Sequence, residues 1–580
     1  MNPSTKSERS GKDIQAFMGV GAINEFDRLA CSIGAAEAVD PCFSTCLDVP
    51  NGGILFAIPA LLANGLIRHT DEHFRLPKGY YGLCSIFLLI AFMLLARIKS
   101  IEGLRYCAPG EWGKLLGLDR IPEVKTIRQK ISHLSKTGEV SQWSASLCQD
   151  WMSDNPEHAS SLYIDGHVRV YHGHQANIPK HYVARQKLCL RACCDYWVND
   201  MDGKPFFVIS KDVDPGLLNV VENEIVPRIL TETPKQPSDE ELEADSLLHR
   251  LILIYDREGY SPDFMLRMKK LRIACLTYNK FPKEDWPYDE FRHEQVVLVS
   301  GDIIDMQIAE RGVLFKNGLW VRETRRLTDS GHQTSIISTA YRLTVAAVAR
   351  GMFARWSQEN FFKYMREHYS LDRLVEYSVE DLPNDTRVVN PEYRKLDGQI
   401  RSATGKLNRT MAEFGAKTID GEIDSDRVEA YEKEKAKLQE KITLMKREIE
   451  DLKAKRKNIR KHIPIAELPI EDRFQRLGSK SKDFLDTIKM ICYRAETAMV
   501  NAVREWMCRE DDARSFIRAL YRTEADIIPD EENGILRIRL HHLTTRSADN
   551  IAKLLCIALN ETMTFFPGTQ LRLVYEMVSS

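Results

Sequence analysis

Residues 251–270 read LILIYDREGYSPDFMLRMKK, and how this stretch folds decides the fold of the chain around it. Five apolar residues, LILIY, stop abruptly at Asp256-Arg257-Glu258-Gly259, and a helix-like segment follows. An unbroken apolar run of this length, closed by a turn signal, predicts a strand buried on both faces. A carboxylate just past such a strand sits at the lip of a sheet, where α/β folds place their chemistry. Asp256 has a plainer alternative, as the N-cap of the next helix. Its neighbours have to decide between the two.

Upstream, residues 161–172 (SLYIDGHVRVYH) alternate in strand fashion. Residues 187–199 and 205–212 predict two more strands, joined across a hairpin-type Asp202-Gly203. Asp214-Pro215 then opens a helix over 216–230, whose Leu217, Val220, Val221, Ile225 and Ile229 follow helical spacing. A polar, acidic linker, 231–243, leads into LILIY. Three antiparallel strands, a helix, then a buried strand ending in Asp predict an α/β, ribonuclease H-like core with a mixed sheet and helices on its faces. In that fold the first strand carries a carboxylate facing the end of the fourth. Asp165, between Ile164 and Val168, occupies that place, its alternative being a solvent-facing edge position. Downstream come a helix at 263–271, a strand at 272–277, and a β-rich stretch at 280–335. The latter predicts strands at 295–299, 306–308, 312–315 and 319–323, with a hairpin at Asn317-Gly318. A long helix, 338–368, follows. Arg355, Glu359 and Lys363 share one of its faces at four-residue spacing. They make either surface ion pairs or a third carboxylate, Glu359, held between cations.

The rest of the chain is long enough for several domains: 580 residues, 28% charged, with a net charge of −2. No global basic signature marks a nucleic-acid binder, so such binding must come from local patches. The 13 cysteines are scattered without a CxxC pair. Cys189, Cys193 and Cys194 with His172 and His174 lack the second ligand pair that a zinc site wants, and read as buried thiols of a reducing cytoplasm. The polar N-terminus has no apolar signal core, which predicts a cytoplasmic, nucleoid-associated protein. Residues 79–96 (GYYGLCSIFLLIAFMLLA) are uncharged over 18 residues and predict the buried central helix of a helical domain, 1–150, rather than a membrane span. Within that domain, 110–118 and 124–134 are two short helices joined by a tight turn. The second carries Lys125, Arg128 and Lys130, which fits a DNA-binding helix-turn-helix or a plain helical hairpin. Residues 391–463 hold two heptad runs broken at 415–425. They predict an antiparallel coiled-coil hairpin, with a dimerising coil as the alternative. Residues 470–580 predict a helix at 483–507 and then a small β-α-β region.

Three blocks, IDGHVRVYHG, YDREGY and RWSQENFFKYMRE, resemble the signature blocks of the DDE transposases of bacterial insertion sequences. The resemblance is to the cut-and-paste group with a β-strand insertion between the second Asp and the Glu. There the second Asp begins a DRE tripeptide, as Asp256 does. The Glu lies in a Tyr-x2-Arg-x3-Glu-x6-Lys signature, read here as Met352, Arg355, Glu359 and Arg366. The resemblance implies a catalytic domain over 155–380 with its insertion at about 280–335. It implies that Asp165, Asp256 and Glu359 hold two Mg²⁺ ions (Mn²⁺ able to substitute), ~3.5–4 Å apart. It further implies phosphate contacts by Arg355, Arg366 and Lys363, and stacking of a flipped base on Trp320. Its partners would be double-stranded DNA, as transposon ends and target, and further copies in a homodimer or higher oligomer, with no membrane. Two rivals are a ribonuclease H-like nuclease or catalytically inactive DNA-binding descendant, and a membrane-anchored coiled-coil protein, which leaves the three blocks unexplained.

Overall fold

A computed structural model of the chain describes residues 25–298, 302–353, 356–372, 379–418, 425–509 and 512–579. It begins with short helices and one strand, β1 (Cys46–Val49), ahead of the apolar helix α1 (Leu83–Leu95). From Ser85 to Leu95 every residue of α1 is buried. Phe87 lies within 5.6 Å of the rings of Phe74, Trp143 and Phe484, so α1 is a core element. Among the described residues no helix is long and apolar enough to cross a membrane. Helix α2 (Val124–Thr137) buries Val124, Ile127, Ile131 and Leu134.

The central sheet has ten strands. In chain order these are β2 (Ser161–Val170), β3 (Lys180–Val183), β4 (Leu188–Asn199), β5 (Pro205–Lys211), β6 (Leu251–Tyr255), β7 (Ile273–Tyr278), β8 (Arg292–Val297), β9 (Ile303–Leu314), β10 (Trp320–Leu327) and β11 (Gln333–Ser338). They lie in the order β3-β4-β2-β6-β7-β11-β10-β9-β8, with β5 also on β4. LILIY is β6, all five residues buried, and parallel to both neighbours, β2 and β7. The other pairings are antiparallel, so the insertion extends the same sheet rather than forming its own.

One face is covered by α3 (Val226–Glu232) and α4 (Pro262–Lys270), through Arg228 over the Phe207 ring and Phe264 against Tyr255. The helix that begins at Leu217 passes into α3 through a π-helical turn, Val221–Ile225, just ahead of Pro227, which has no N–H to close a regular turn. The expected linker 231–243 is partly helical instead. Ser238 and Glu241 form a capping box that starts the helix Asp239–Ala244. The other face receives α5 (Val345–Phe353), whose Val348 and Met352 pack on Tyr163, Ile252, Ile254 and Leu276. Gly351 lets α5 come this close, since a Cβ there would lie 2.8 Å from Leu276. Next comes α6 (Trp356–Tyr369), so the single helix expected over 338–368 is a strand end and two helices.

Helices α7 (Pro391–Ala416) and α8 (Ser425–Lys457) run antiparallel, with Asp397 bonded to Arg456 at one end and Lys417 to Glu434 at the other. Two short strand pairs, Val379–Asp381 with Gln475–Leu477 and Arg387–Val389 with His462–Pro464, tie the base of this hairpin. The long helix α9 (Lys480–Arg504) then threads between the N-terminal helices and β5, and α10 (Ala513–Arg522) packs on it. The chain ends in a four-stranded sheet of Ala525–Asp530, Ile535–Leu540, Arg572–Met577 and β1, with α11 (Arg546–Glu561) as the parallel crossover. Residues 1–150 and 470–580, expected as separate regions, therefore share a sheet and a core, because the edge strand of the last sheet comes from the first region.

Candidate functional site

The two aspartates meet through strand register. Strands β2 and β6 pair in parallel with Ile164 opposite Tyr255, and one residue further sets Asp165 opposite Asp256. Side chains alternate across a strand, so Asp165 shares a face with Tyr163, and Asp256 with Ile254. Both therefore stand on the face that α5 and α6 cover, at the C-terminal lip of the parallel strands. Asp256 is exposed and Asp165 half-buried. Asp165 Oδ1 accepts the Gly166 N–H at 2.9 Å, and Asp256 Oδ1 accepts the Arg257 N–H at 2.6 Å. The latter bond makes Asp256 the N-cap of a single 3-10 turn, Arg257–Gly259, while capping α4 falls to Ser261, whose Oγ accepts the Phe264 N–H. Gly259 closes the turn onto the Tyr255 ring, where a Cβ would lie 2.4 Å away.

The third block arrives on α6. Phe361 meets Trp197 at 5.3 Å, and Trp197 is the register partner of Asp165 on β4. Phe362 stacks on His167, at 5.3 Å between ring centres. His167 is two residues from Asp165 on the same strand face. Glu359 is in this helix, one turn ahead of Phe362, with its side chain outside the described residues, and Arg355 also falls outside them. Met352, in the register position of a tyrosine, is on α5 and fully buried against the sheet.

Other charged groups converge on this corner that the sequence did not single out. Glu258 has its pKa raised by desolvation and by the carboxylates of Asp214 and Asp256, against Lys280. Asp214 accepts the Tyr196 hydroxyl at 2.5 Å. Beyond His167, Asp372 accepts from His167 at 2.5 Å and from Arg185 at 3.3 Å. Burial pushes Asp372 up, but these two partners outweigh it and its pKa is lowered. Arg366 sits half-buried beside Arg185, its pKa lowered by burial and by that like charge. The corner thus sets an acidic lip near two guanidiniums, Arg185 and Arg366, that share the charge of Asp372.

Helix α6 is fixed from behind by Glu496 of α9, fully buried. Its carboxylate takes both Arg97 Nη2 bonds, at 2.7 Å, and the hydroxyls of Tyr364 and Tyr369. Burial raises its pKa, yet Arg97, with Arg514 and the Tyr364 hydroxyl, outweighs it and the carboxyl is held down. One ion pair thereby locks the helix carrying Glu359 to the end of α1 and to α9.

The remaining sequence candidates lie elsewhere. Register carries Asp256 level with Tyr278, Ile336 and Thr324, so Trp320 lies four residues toward the opposite end of the sheet. There it pairs with Tyr341 at 5.3 Å in a cleft of about 620 Å³ shared with Leu247 and Lys269. The aromatics at the acidic end are instead Tyr260 and Phe281, 5.8 Å apart, the latter 71% exposed. On α2, Lys125 is exposed in a cleft with Arg105 and Arg120, and Arg128 pairs with Glu102 at 2.8 Å. Lys130 donates to the Tyr81 carbonyl at 2.9 Å and is half-buried. Lys363 is exposed on α6. All 13 cysteines are free thiols, and among the described residues none joins a group close enough to hold a metal.

A protein-family model, Transposase_29, described as a transposase protein, matches residues 19–579. No curated protein matches the chain.

Proposed function

The chain belongs to the Transposase_29 family of transposases, and on that premise we propose that Asp165, Asp256 and Glu359 form a DDE site in a ribonuclease H-like core. The observation that carries this reading is the β2–β6 register, which sets Asp165 against Asp256 on the face where α6 packs. The order β5-β4-β2-β6-β7, with only β2, β6 and β7 mutually parallel, supports the fold assignment. The reaction is cleavage at the ends of an insertion-sequence element, followed by joining of the freed 3′-OH to target DNA, with two copies or more bringing the ends together.

The donor set is all carboxylate oxygen, at a half-exposed lip, and fits Mg²⁺. Asp165 and Asp256 would hold it together with Glu359. When bound, Mg²⁺ supplies Lewis acidity toward the scissile phosphate and its attacking oxygen. The chain's own residues do the rest. Arg366 and Arg185 face the charge that grows on the phosphoryl oxygens, and the Glu496 clamp keeps α6 from drifting as DNA enters.

The test is a strand-cleavage and strand-transfer assay on the element's own ends with Mg²⁺ or Mn²⁺, comparing wild type with Asp256→Asn and Glu359→Gln. Each variant is expected to lose at least a thousandfold in rate. Full activity in either sinks the site, and a wild type that binds the ends without cutting them points to an inactive DNA-binding descendant.

A further inference from the structure

Beside α6, on the flank turned toward α9 and α10, runs a cleft of about 580 Å³. It starts at Asn360, the residue after Glu359, and follows a single helical stripe through Lys363 and Tyr364 to His368. Its far wall is Arg504, at the end of α9, with Arg514 and Arg518 of α10. We propose that these arginines and Lys363 form a wall that grips the phosphodiester backbone of the DNA leading away from the carboxylate corner. The inference rests on the DDE reading of that corner and gives the C-terminal helices a part in it.

Arg514 and Arg518 are held by aromatic faces and neutral acceptors. The Arg514 guanidinium lies 4.6 Å from the Tyr364 ring centre and 5.1 Å from that of Tyr493, and donates to Thr497 Oγ1 at 3.1 Å. Glu496, whose charge also acts on Arg514, is already bidentate with Arg97. Arg518 bonds Nε2 of His368 at 2.6 Å, which makes the imidazole a neutral acceptor and leaves the arginine its charge. Three carboxylates stand on the cleft as well, Asp202, Asp302 and Glu367. Asp202 is shared with Lys204 and His158, and Glu367 lies 3.6 Å from His368. At 1.5 Å of rise per residue, the stripe from Asn360 to His368 is ~12 Å long. That spans about three phosphates of one strand, at roughly 3.4 Å of axis each.

The test is fluorescence anisotropy with full-length protein in EDTA, against a labelled duplex and a labelled single strand, across salt. Arg504→Ala/Arg518→Ala is expected to weaken binding at least tenfold at low salt. It should flatten the log–log salt slope by about 1.8 on duplex or about 1.4 on single strand, and the probe that responds names the bound form. Lys363→Glu, at an exposed position that cannot unfold the helix, should flatten it by about 0.9 on duplex and decides the matter if the double variant melts early. Wild-type binding that both variants leave unchanged in affinity and slope overturns the wall alone. A wild type that binds neither probe overturns the DDE reading and the wall with it.

Discussion

At the scale of single residues, Glu258 offers a test of the proposed carboxylate corner. Its pKa is raised, so protonation sets in above the ordinary carboxylate range as pH falls, and the acidic lip loses charge there. If the corner holds Mg²⁺ as proposed, cleavage should decline early on the acid side, and Glu258→Gln should remove that limb of the rate profile. A raised folded-state pKa also means that ionised Glu258 works against folding at neutral pH, so the same variant should melt slightly higher in EDTA at pH 7. Tyr163→Phe is a different probe. It strips the 2.6 Å bond to the Gly351 carbonyl, leaves that oxygen buried, and should cost about 1–3 kcal/mol in denaturant unfolding. Asp165 and Asp256 were legible in the sequence because a strand's alternation and its abrupt end are local patterns. Asp214, Arg185 and Glu496 were not, since each reaches its place through a loop or a distant helix that leaves no mark in neighbouring residues.

At the scale of elements, α9 is bound to the central sheet by buried charge. Lys482 bonds Asp486 at 2.6 Å and lies 3.3 Å from Asp195, which also takes Arg169. Lys482→Met removes the cation that both carboxylates share, leaving Asp195 to Arg169 and Asp486 to Lys489, and thermal or urea unfolding should show a loss of about 1.5–3 kcal/mol. Asp483, beside this cluster, has its pKa raised to about 6 by burial, with Asp486 and Asp195 adding to it against Lys482. Its stabilising contribution is thus present in full below the unfolded-state value and disappears as pH rises through about 6. Melting curves of Asp483→Asn between pH 4.5 and 7.5 should lack that fall. The elements were unevenly legible. β6 announced itself, but β9 was split in two because Glu310 and Arg311 interrupt its apolar pattern. In the sheet they are satisfied by Arg322 and Glu290, through ion pairs that sequence spacing does not reveal. Of β11, QTSIIS, the sequence pattern assigns only Ser338 to the following helix and names no strand for the rest, because the six residues carry no turn signal at their end.

At the scale of the whole molecule, the two ends of the chain complete each other. Phe43 meets Phe566 at 4.8 Å and Phe56 meets Tyr575 at 4.7 Å, across the core beneath the terminal sheet. A chain cut after residue 524 loses every partner of β1, and limited proteolysis should then digest the N-terminal helices as well as the missing sheet's surroundings. No pattern within residues 1–150 could have foretold this, because β1 is only four residues long and its partner strand begins at Ala525. The same strand pairing sets a schedule on the ribosome. At about 5–20 residues per second, β1 waits tens of seconds for its partner to emerge. Until the last strand is released, the nascent protein holds an unfinished N-terminal core, so a transposase of this build gains its working shape only after Met577 has left the ribosome.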